Sequence, residues 1–378
     1  MNFGVPRETG KQERRVGLTP WAVQQLVLEG HGVVVERDAG KAARFSDHEY
    51  QQAGATVVYN REEAFKRVDV VCGVDTVSPA ELDLLRPGSV LCGFQHLVVA
   101  PQATVERLQE LEMTVLGYEL VQDARGRRIV LAAIGQMAGE LAVFTAAHYL
   151  QNEERGRGIL LSHVPGIAPP MVLILGAGTV GRSAARRALS LGAHVVMLDQ
   201  DIRKLRSVNE ELSAQVETQL ATGDRLARFT AIADVVIGAI LIPGARSPLL
   251  ITEEMVRAMR AGSVIVDVSI DQGGCVETSR PTTLQDPVFV VHDVVHYCVP
   301  NMTANVARTA SRALADVVLG LLRSLAANGI ERAIRDDPGL AAGVYLYRGK
   351  LVNDALARAL GTKPASLVGL LWGGGAQS

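Results

Sequence analysis

Leu175-Gly176-Ala177-Gly178-Thr179-Val180-Gly181, led in by the apolar run Met171 to Leu175 and answered by Leu198-Asp199, decides how this chain folds. The apolar run reads as a buried strand. Three glycines then permit a tight turn, close approach of backbone to a pyrophosphate, and close packing of the next helix. The unpaired N–H groups and macrodipole at the amino end of that helix favour an anion. Asp199, ending the strand Ala193 to Leu198, is placed to accept hydrogen bonds from a ribose diol. A structural turn could use the same glycines; the flanking strand, helix and acidic residue point instead to a dinucleotide. An acidic group at 199 repels a 2′-phosphate and so favours NAD over NADP, although Arg203 and Lys204 lie close by.

Composition fits a globular enzyme. The 378 residues are 48% hydrophobic with a formal net charge of -2, enough for two domains with their own cores and without the basic excess that nucleic acid or an anionic membrane attracts. Cys72, Cys92, Cys275 and Cys298 show neither metal spacing nor a dense disulfide pattern, which suits a reducing compartment and buried thiols. The start Met1-Asn2-Phe3-Gly4-Val5-Pro6-Arg7-Glu8 lacks the apolar core of a signal peptide, so a cytoplasmic setting is expected. The uncharged stretch Gly158 to Gly181 is broken by Pro165, Gly166, Pro169 and Pro170 and reads as loop then strand, not as a membrane span.

The first 130 residues alternate short apolar strands with helical segments. Phe3 to Val5 reads as a strand. Thr19 caps a helix with Pro20 at its first position, and Gly30 and Gly32 end it before Val33-Val34-Val35. Val68 to Val71, Ser89 to Cys92 and Thr114 to Leu116 suggest further strands, as do Val235 to Ile237 and Ser263 to Val268. Ile134 to Asn152 suggests a long bridging helix, and a helical apolar stripe between Asn305 and Ala326 carries the chain back to the first domain. His292 and His296 are expected to alternate along one strand in structural roles, with no third ligand to suggest a metal. The tail Gly373 to Ser378 is expected to be disordered.

Several segments, taken in order, resemble the alanine dehydrogenase family, which includes the NAD-binding subunit of proton-translocating transhydrogenase. They are Gly4-Val5-Pro6-Arg7-Glu8, Glu13-Arg14-Arg15-Val16-Gly17-Leu18-Thr19-Pro20, Gly158 to Pro169, Ile237 to Gly244, Val266 to Cys275 and His292 to Met302. The resemblance implies reversible oxidative deamination, in which an L-amino acid, NAD and water give a 2-oxo acid, ammonia and NADH. Arg15 matches the family's carboxylate clamp, a task suited to the two parallel donors of a guanidinium. His96, in Gly93-Phe94-Gln95-His96-Leu97, matches the catalytic histidine, and Asp271 matches a second catalytic residue that orients water or the amine. Position alone leaves open a surface arginine, a structural histidine and a turn-capping aspartate. Cofactor contacts are implied for Gly176, Gly178, Thr179, Val180, Gly181, Asp199, Lys204, Ala239, Leu241, Asn301 and Met302.

The departures bear on substrate. Where the family has Lys-x-Lys-Glu-Pro, with a lysine that contacts the oxo acid, this chain has Gly73-Val74-Asp75-Thr76-Val77. Phe94 replaces a tyrosine, and Ile134-Gly135-Gln136 replaces Met-Ser-Glu. A unit charge pair at roughly 4 Å and an effective dielectric of about 20 is worth ~4 kcal/mol, so exchanging cation for anion works strongly against an ordinary oxo acid. Asp75 can be protonated, turned to solvent, or paired with a cation on the substrate; because Arg15, His96 and Asp271 all remain, the last is expected. The expectation is therefore an NAD-dependent amino-acid dehydrogenase or imine reductase whose substrate carries a second positive group. The alternatives are an NAD-binding homologue without dehydrogenase activity, as a sensor or partner subunit, and a detached transhydrogenase-like subunit. The fold expected is α/β, with two Rossmann-like domains, parallel sheets and an interdomain cleft: residues 1–133 plus 308–378 for substrate and 134–307 for NAD. The resemblance further suggests a homo-hexamer with a small-molecule substrate.

Overall fold

The computed structural model describes residues 1–10, 12–241 and 246–372. Among them the strands are β1 Asn2–Val5, β2 Gly32–Glu36, β3 Thr56–Val58, β4 Val70–Cys72, β5 Val90–Gly93, β6 Thr114–Gly117, β7 Met171–Leu175 and β8 His194–Asp199. They continue with β9 Glu217–Leu220, β10 Val235–Gly238, β11 Val264–Asp267, β12 Val288–Val291, β13 Val294–Tyr297, β14 Val344–Tyr347 and β15 Lys350–Leu351. The chain divides into two compact units: Met1–Ile134 with the segment from Ala304 onward, and Gly135–Thr303.

The sheet of the first unit runs β15-β14-β6-β5-β4-β1-β2-β3. From β6 to β3 all neighbours are parallel, and the order is that of a doubly wound nucleotide-binding sheet. The second sheet, β12-β13-β11-β10-β7-β8-β9, repeats that order from β13 to β9. Both cores follow from the strand period of two. Val70 and Cys72 pack on one face of the first sheet and Val71 on the other; Val172 and Ile174 oppose Met171, Leu173 and Leu175 in the second. Both faces are covered, so these strands read as continuous apolar runs rather than alternating ones.

Local signals match the observed ends closely. Thr19 Oγ1 accepts from the N–H of Ala22, with Pro20 in the first helical turn, and the helix Pro20–Leu28 ends before Gly30 at φ +85°. The long apolar helix is Ile129–Tyr149, starting ahead of Ile134 and stopping before Asn152, because Asn152–Glu154 forms a separate 3-10 turn. Its length and mean hydropathy of 1.7 would suffice for a membrane span. Its Gly139 instead lies so close to the helix Thr179–Ser190 that an added Cβ would come 2.2 Å from Val180 O.

Two expectations are corrected. The sheets are not wholly parallel: β12 pairs antiparallel with β13, and β14 pairs antiparallel with both β6 and β15. His292 and His296 do not share a strand, since His292 and Asp293, at φ +52° and +59°, form the two-residue turn between β12 and β13. Two positive φ values in succession suit the right-handed twist of a hairpin. The tail Gly373 to Ser378 and the segment Ile242 to Ala245 lie outside the described residues.

Candidate active site

In the first unit the chain changes direction across the sheet between β1 and β4, and a doubly wound sheet opens a crevice at the carboxyl ends of such a strand pair. Glu8 follows β1, and Asp75 follows β4. The Glu8 Oε1 atom accepts the Val74 N–H at 2.7 Å, and Oε2 lies 3.4 Å from the Asp75 nitrogen, which ties the two exits together. Burial pushes the Glu8 carboxyl up to about 8, reinforced by the charges of Glu13 and Asp75 and opposed by the Val74 hydrogen bond.

The segment Glu13–Thr19 lies over the β4 exit. Gly17 allows this, because a Cβ there would come 2.1 Å from Cys72 O. Within the segment, the Arg15 fork closes on the Glu13 carboxylate, with Nε donating to Oε1 at 2.8 Å and an Nη to Oε2 at 2.5 Å. Burial disfavours the Arg15 charge, yet the Glu13 hydrogen bonds and the charges of Glu13, Asp75 and Glu8 more than offset it and hold the guanidinium protonated. Asp75 is half-buried: a Cβ on Gly10 would lie 3.7 Å from its Oδ2, while Oδ1 accepts the Thr76 N–H at 2.8 Å. Burial raises its carboxyl, with Glu13 adding to the rise and Arg15 and His96 opposing it.

The exits of β5 and β6 complete this end of the sheet. The Phe94 ring lies under the Arg15 guanidinium at 6.0 Å and stacks on His96 at 6.1 Å, with 14° between the rings. His96 is half-exposed, at the left-handed φ of +43°. Glu119 accepts its backbone N–H at 2.7 Å and the Tyr345 hydroxyl at 2.8 Å. Arg15, Asp75 and His96 are therefore brought together. Glu8, Glu13 and Glu119 join them without having been singled out by the sequence reading.

In the second unit, Gly176 takes φ +106°, and a Cβ on Gly181 would fall 1.9 Å from Gly176 O, so the turn tolerates no side chain at either position. Beside Gly178, where the helix Thr179–Ser190 begins, a Cβ would meet nothing within 4 Å. That opening and the helix N-terminus suit a pyrophosphate. Asp199 is buried. Its Oδ2 accepts the Ala177 N–H and its Oδ1 the Asp201 N–H, both at 2.8 Å, and Lys204 Nζ stands 3.9 Å from Oδ2. Arg203 grips Asp201 through Nε and Nη2 at 3.1 and 3.0 Å, and Arg182 bonds Ala177 O and Ser207, so both guanidiniums are engaged on protein groups.

Across the sheet reversal, the Ala239 N–H donates to Leu175 O, and Ile240 N–H to Ser269 Oγ, while Leu241 is exposed. Asp267 accepts the N–H groups of Ser269 and Cys275, bracing both ends of the loop that carries Asp271. Burial pushes the Asp267 carboxyl up. Asp271 Oδ1 accepts the N–H of Asn301, itself at φ +51°, and Met302 beside it is buried. Asp271, Asn301 and Met302 thus belong with the cofactor-side elements. His296 is buried between Val294 O and Thr278 Oγ1, with burial lowering its basicity, and His292 pairs with Glu253. The four cysteines are free and buried.

This architecture has close relatives. The alanine dehydrogenase/PNT N-terminal domain family matches residues 4–142, and the alanine dehydrogenase/PNT C-terminal domain family matches residues 142–354. The chain is 40% identical to an alanine dehydrogenase of Halomonas elongata over 98% of this chain and 100% of that one, and 39% identical to one of Mycobacterium tuberculosis over 97% and 100%. A solved L-alanine dehydrogenase superposes with a TM-score of 0.90 at 40% identity, covering 96% of this chain and 99% of the other. A transhydrogenase from Sinorhizobium meliloti superposes at 0.81 with 25% identity, covering 94% and 100%. With both domain families matched across nearly its whole length, the chain belongs to the alanine dehydrogenase/PNT family and is an NAD-dependent oxidoreductase.

Proposed function

We propose that this enzyme is an amino-acid dehydrogenase that oxidises an L-amino acid bearing a second cationic group, with NAD accepting a hydride from the α-carbon. Water then replaces the imine nitrogen, giving a 2-oxo acid, ammonia and NADH. Arg15 holds the substrate carboxylate, His96 moves protons on nitrogen and oxygen, and Asp271 orients water or the amine. Gly176, Gly178, Thr179, Val180 and Gly181 would hold the pyrophosphate of NAD and Asp199, next to Lys204, its ribose; Ala239, Leu241, Asn301 and Met302 would line the remainder.

The observation that carries the substrate choice is the acidic balance around Asp75. Glu13 and Asp75 gather there beside Glu8, which keeps its proton up to about 8, and the charge of Arg15 is already matched by Glu13, so the Asp75 carboxylate is left without a matching cation. A carboxyl where the family resemblance implies lysine favours an ammonium and opposes a second anion. NADH formation measured over a panel of L-amino acids tests the proposal. A preference for ornithine, lysine or related diamines is expected; a preference for alanine defeats it.

A second reading draws on the same Arg15–Glu13 pair: a homologue that binds NADH and oxidises no amino acid because its guanidinium is committed. Tight NADH binding with a silent panel would select it. The enzyme is further proposed to be cytoplasmic and homo-oligomeric, as a hexamer, which light scattering of the purified protein tests directly.

A further inference from the structure

We propose that Glu119 is a positioning residue for His96, holding the histidine backbone in its left-handed conformation under a clamp closed by Tyr345. The proposal rests on the reading of His96 as the proton-transfer group. Glu119 follows β6, one strand over from the β5 exit that carries His96, and is nearly excluded from solvent. Its Oε1 accepts the His96 N–H at 2.7 Å and its Oε2 the Gln95 N–H at 3.3 Å. Two successive backbone donors thus converge on one carboxyl group.

Left to itself a histidine avoids φ +43°; the left-handed region is unfavourable for a non-glycine residue and persists where the surroundings over-determine it. Here they do. Gln95 is fully buried, the Phe94 ring stacks on the imidazole, and the Tyr345 hydroxyl donates to Glu119 Oε1 at 2.8 Å from a strand paired to β6. His96 Nδ1 stands 3.9 Å from the same Oε1, beyond a hydrogen bond, so Glu119 acts mainly on the backbone. The other charged groups facing this cluster are Asp75, whose charge acts on His96, and Arg128, whose charge acts on Glu119 and Tyr345.

The test uses the full-length enzyme, with NAD and the best amino acid from the panel, in four variants: Glu119→Ala, Glu119→Gln, Tyr345→Phe and His96→Asn. Displacing a reacting group by about 1 Å is worth on the order of a hundredfold. Glu119→Ala is expected to lower kcat by about that factor, with KM and NADH affinity within threefold of the parent. Acetate is expected to restore part of kcat in Glu119→Ala and none in His96→Asn. Tyr345→Phe removes only a hydroxyl and is expected to lower kcat about tenfold, which keeps the proposal testable if Glu119→Ala fails to fold.

Crystals of Glu119→Gln add a readout independent of turnover, with the His96 φ expected to leave the positive region. Unchanged kcat in both Glu119→Gln and Tyr345→Phe, or an unmoved His96 backbone, overturns the proposal. Activity surviving in His96→Asn instead overturns the reading of His96 while leaving the geometric clamp to the crystals.

Discussion

Arg15 and Glu13, two residues apart on one segment, form a two-point ion pair whose side chains are only 3% and 1% exposed. A buried pair contributes little net stability, but removing one partner strands the other's charge, at about 3–5 kcal/mol.

Glu13→Gln is therefore expected to lower Tm by roughly 6–20 °C, given about 2–4 °C per kcal/mol for a unit of this size. Because a 2-oxo acid brings its own carboxylate, pyruvate should raise Tm of the variant by more than it raises that of the parent. Calorimetric scans with and without pyruvate decide this, and equal rises would show that Arg15 does not meet the ligand carboxylate.

Asp75→Lys exchanges a half-buried carboxyl for the cation that the family resemblance implies. Even discounted for its half-exposed setting, the reversal should raise kcat/KM for alanine at least tenfold and lower it for diamino acids. Steady-state NADH formation with both substrates measures the exchange. An unchanged alanine rate would mean that position 75 does not sense the substrate.

Glu8 makes stability depend on pH. The folded chain keeps its proton up to about 8, whereas the unfolded chain releases it near the ordinary 4.5. Between those values unfolding releases a proton, so this contribution is full below 4.5 and lost by about pH 8, amounting to roughly 5 kcal/mol at most. Urea unfolding of the parent and Glu8→Gln at pH 5, 6.5 and 8 should show the parent losing more stability than the variant as pH rises. Parallel losses would remove Glu8 as their source.

Asp199→Ala deprives the N–H groups of Ala177 and Asp201 of their acceptor and removes the negative charge from the ribose site. Losing a charged acceptor for the ribose hydroxyls, at about 1.5–3 kcal/mol, should raise KM for NAD roughly ten- to a hundredfold, while NADP discrimination weakens. Rates with both nucleotides check the two effects separately.

The glycine turn, the Thr19 cap and the buried strands of both sheets were legible because each depends on neighbours along the chain. β3, β9, β12, β14 and β15 were not: they are short, and β14 takes its place in the sheet by pairing with β6, a strand distant in sequence. The β-branched pair Ile129-Val130 conceals the true start of the long helix, since such residues favour strands. Arg15, Asp75 and His96 came from motif resemblance. Glu8, Glu13 and Glu119 escaped notice because their partners are set by the fold or, for Glu13, by a fold-back of its own segment. A usable signal existed: Glu8, Asp75, His96 and Glu119 each follow a strand by two or three residues, and parallel strands gather such positions at one end.

Tyr345 stands 226 positions beyond the glutamate it holds. On the ribosome, the whole nucleotide-binding unit is therefore translated before that hydroxyl emerges. A nascent chain stalled ahead of β14 would own its cofactor pocket yet lack the brace behind its histidine, so competence for turnover arrives late in synthesis.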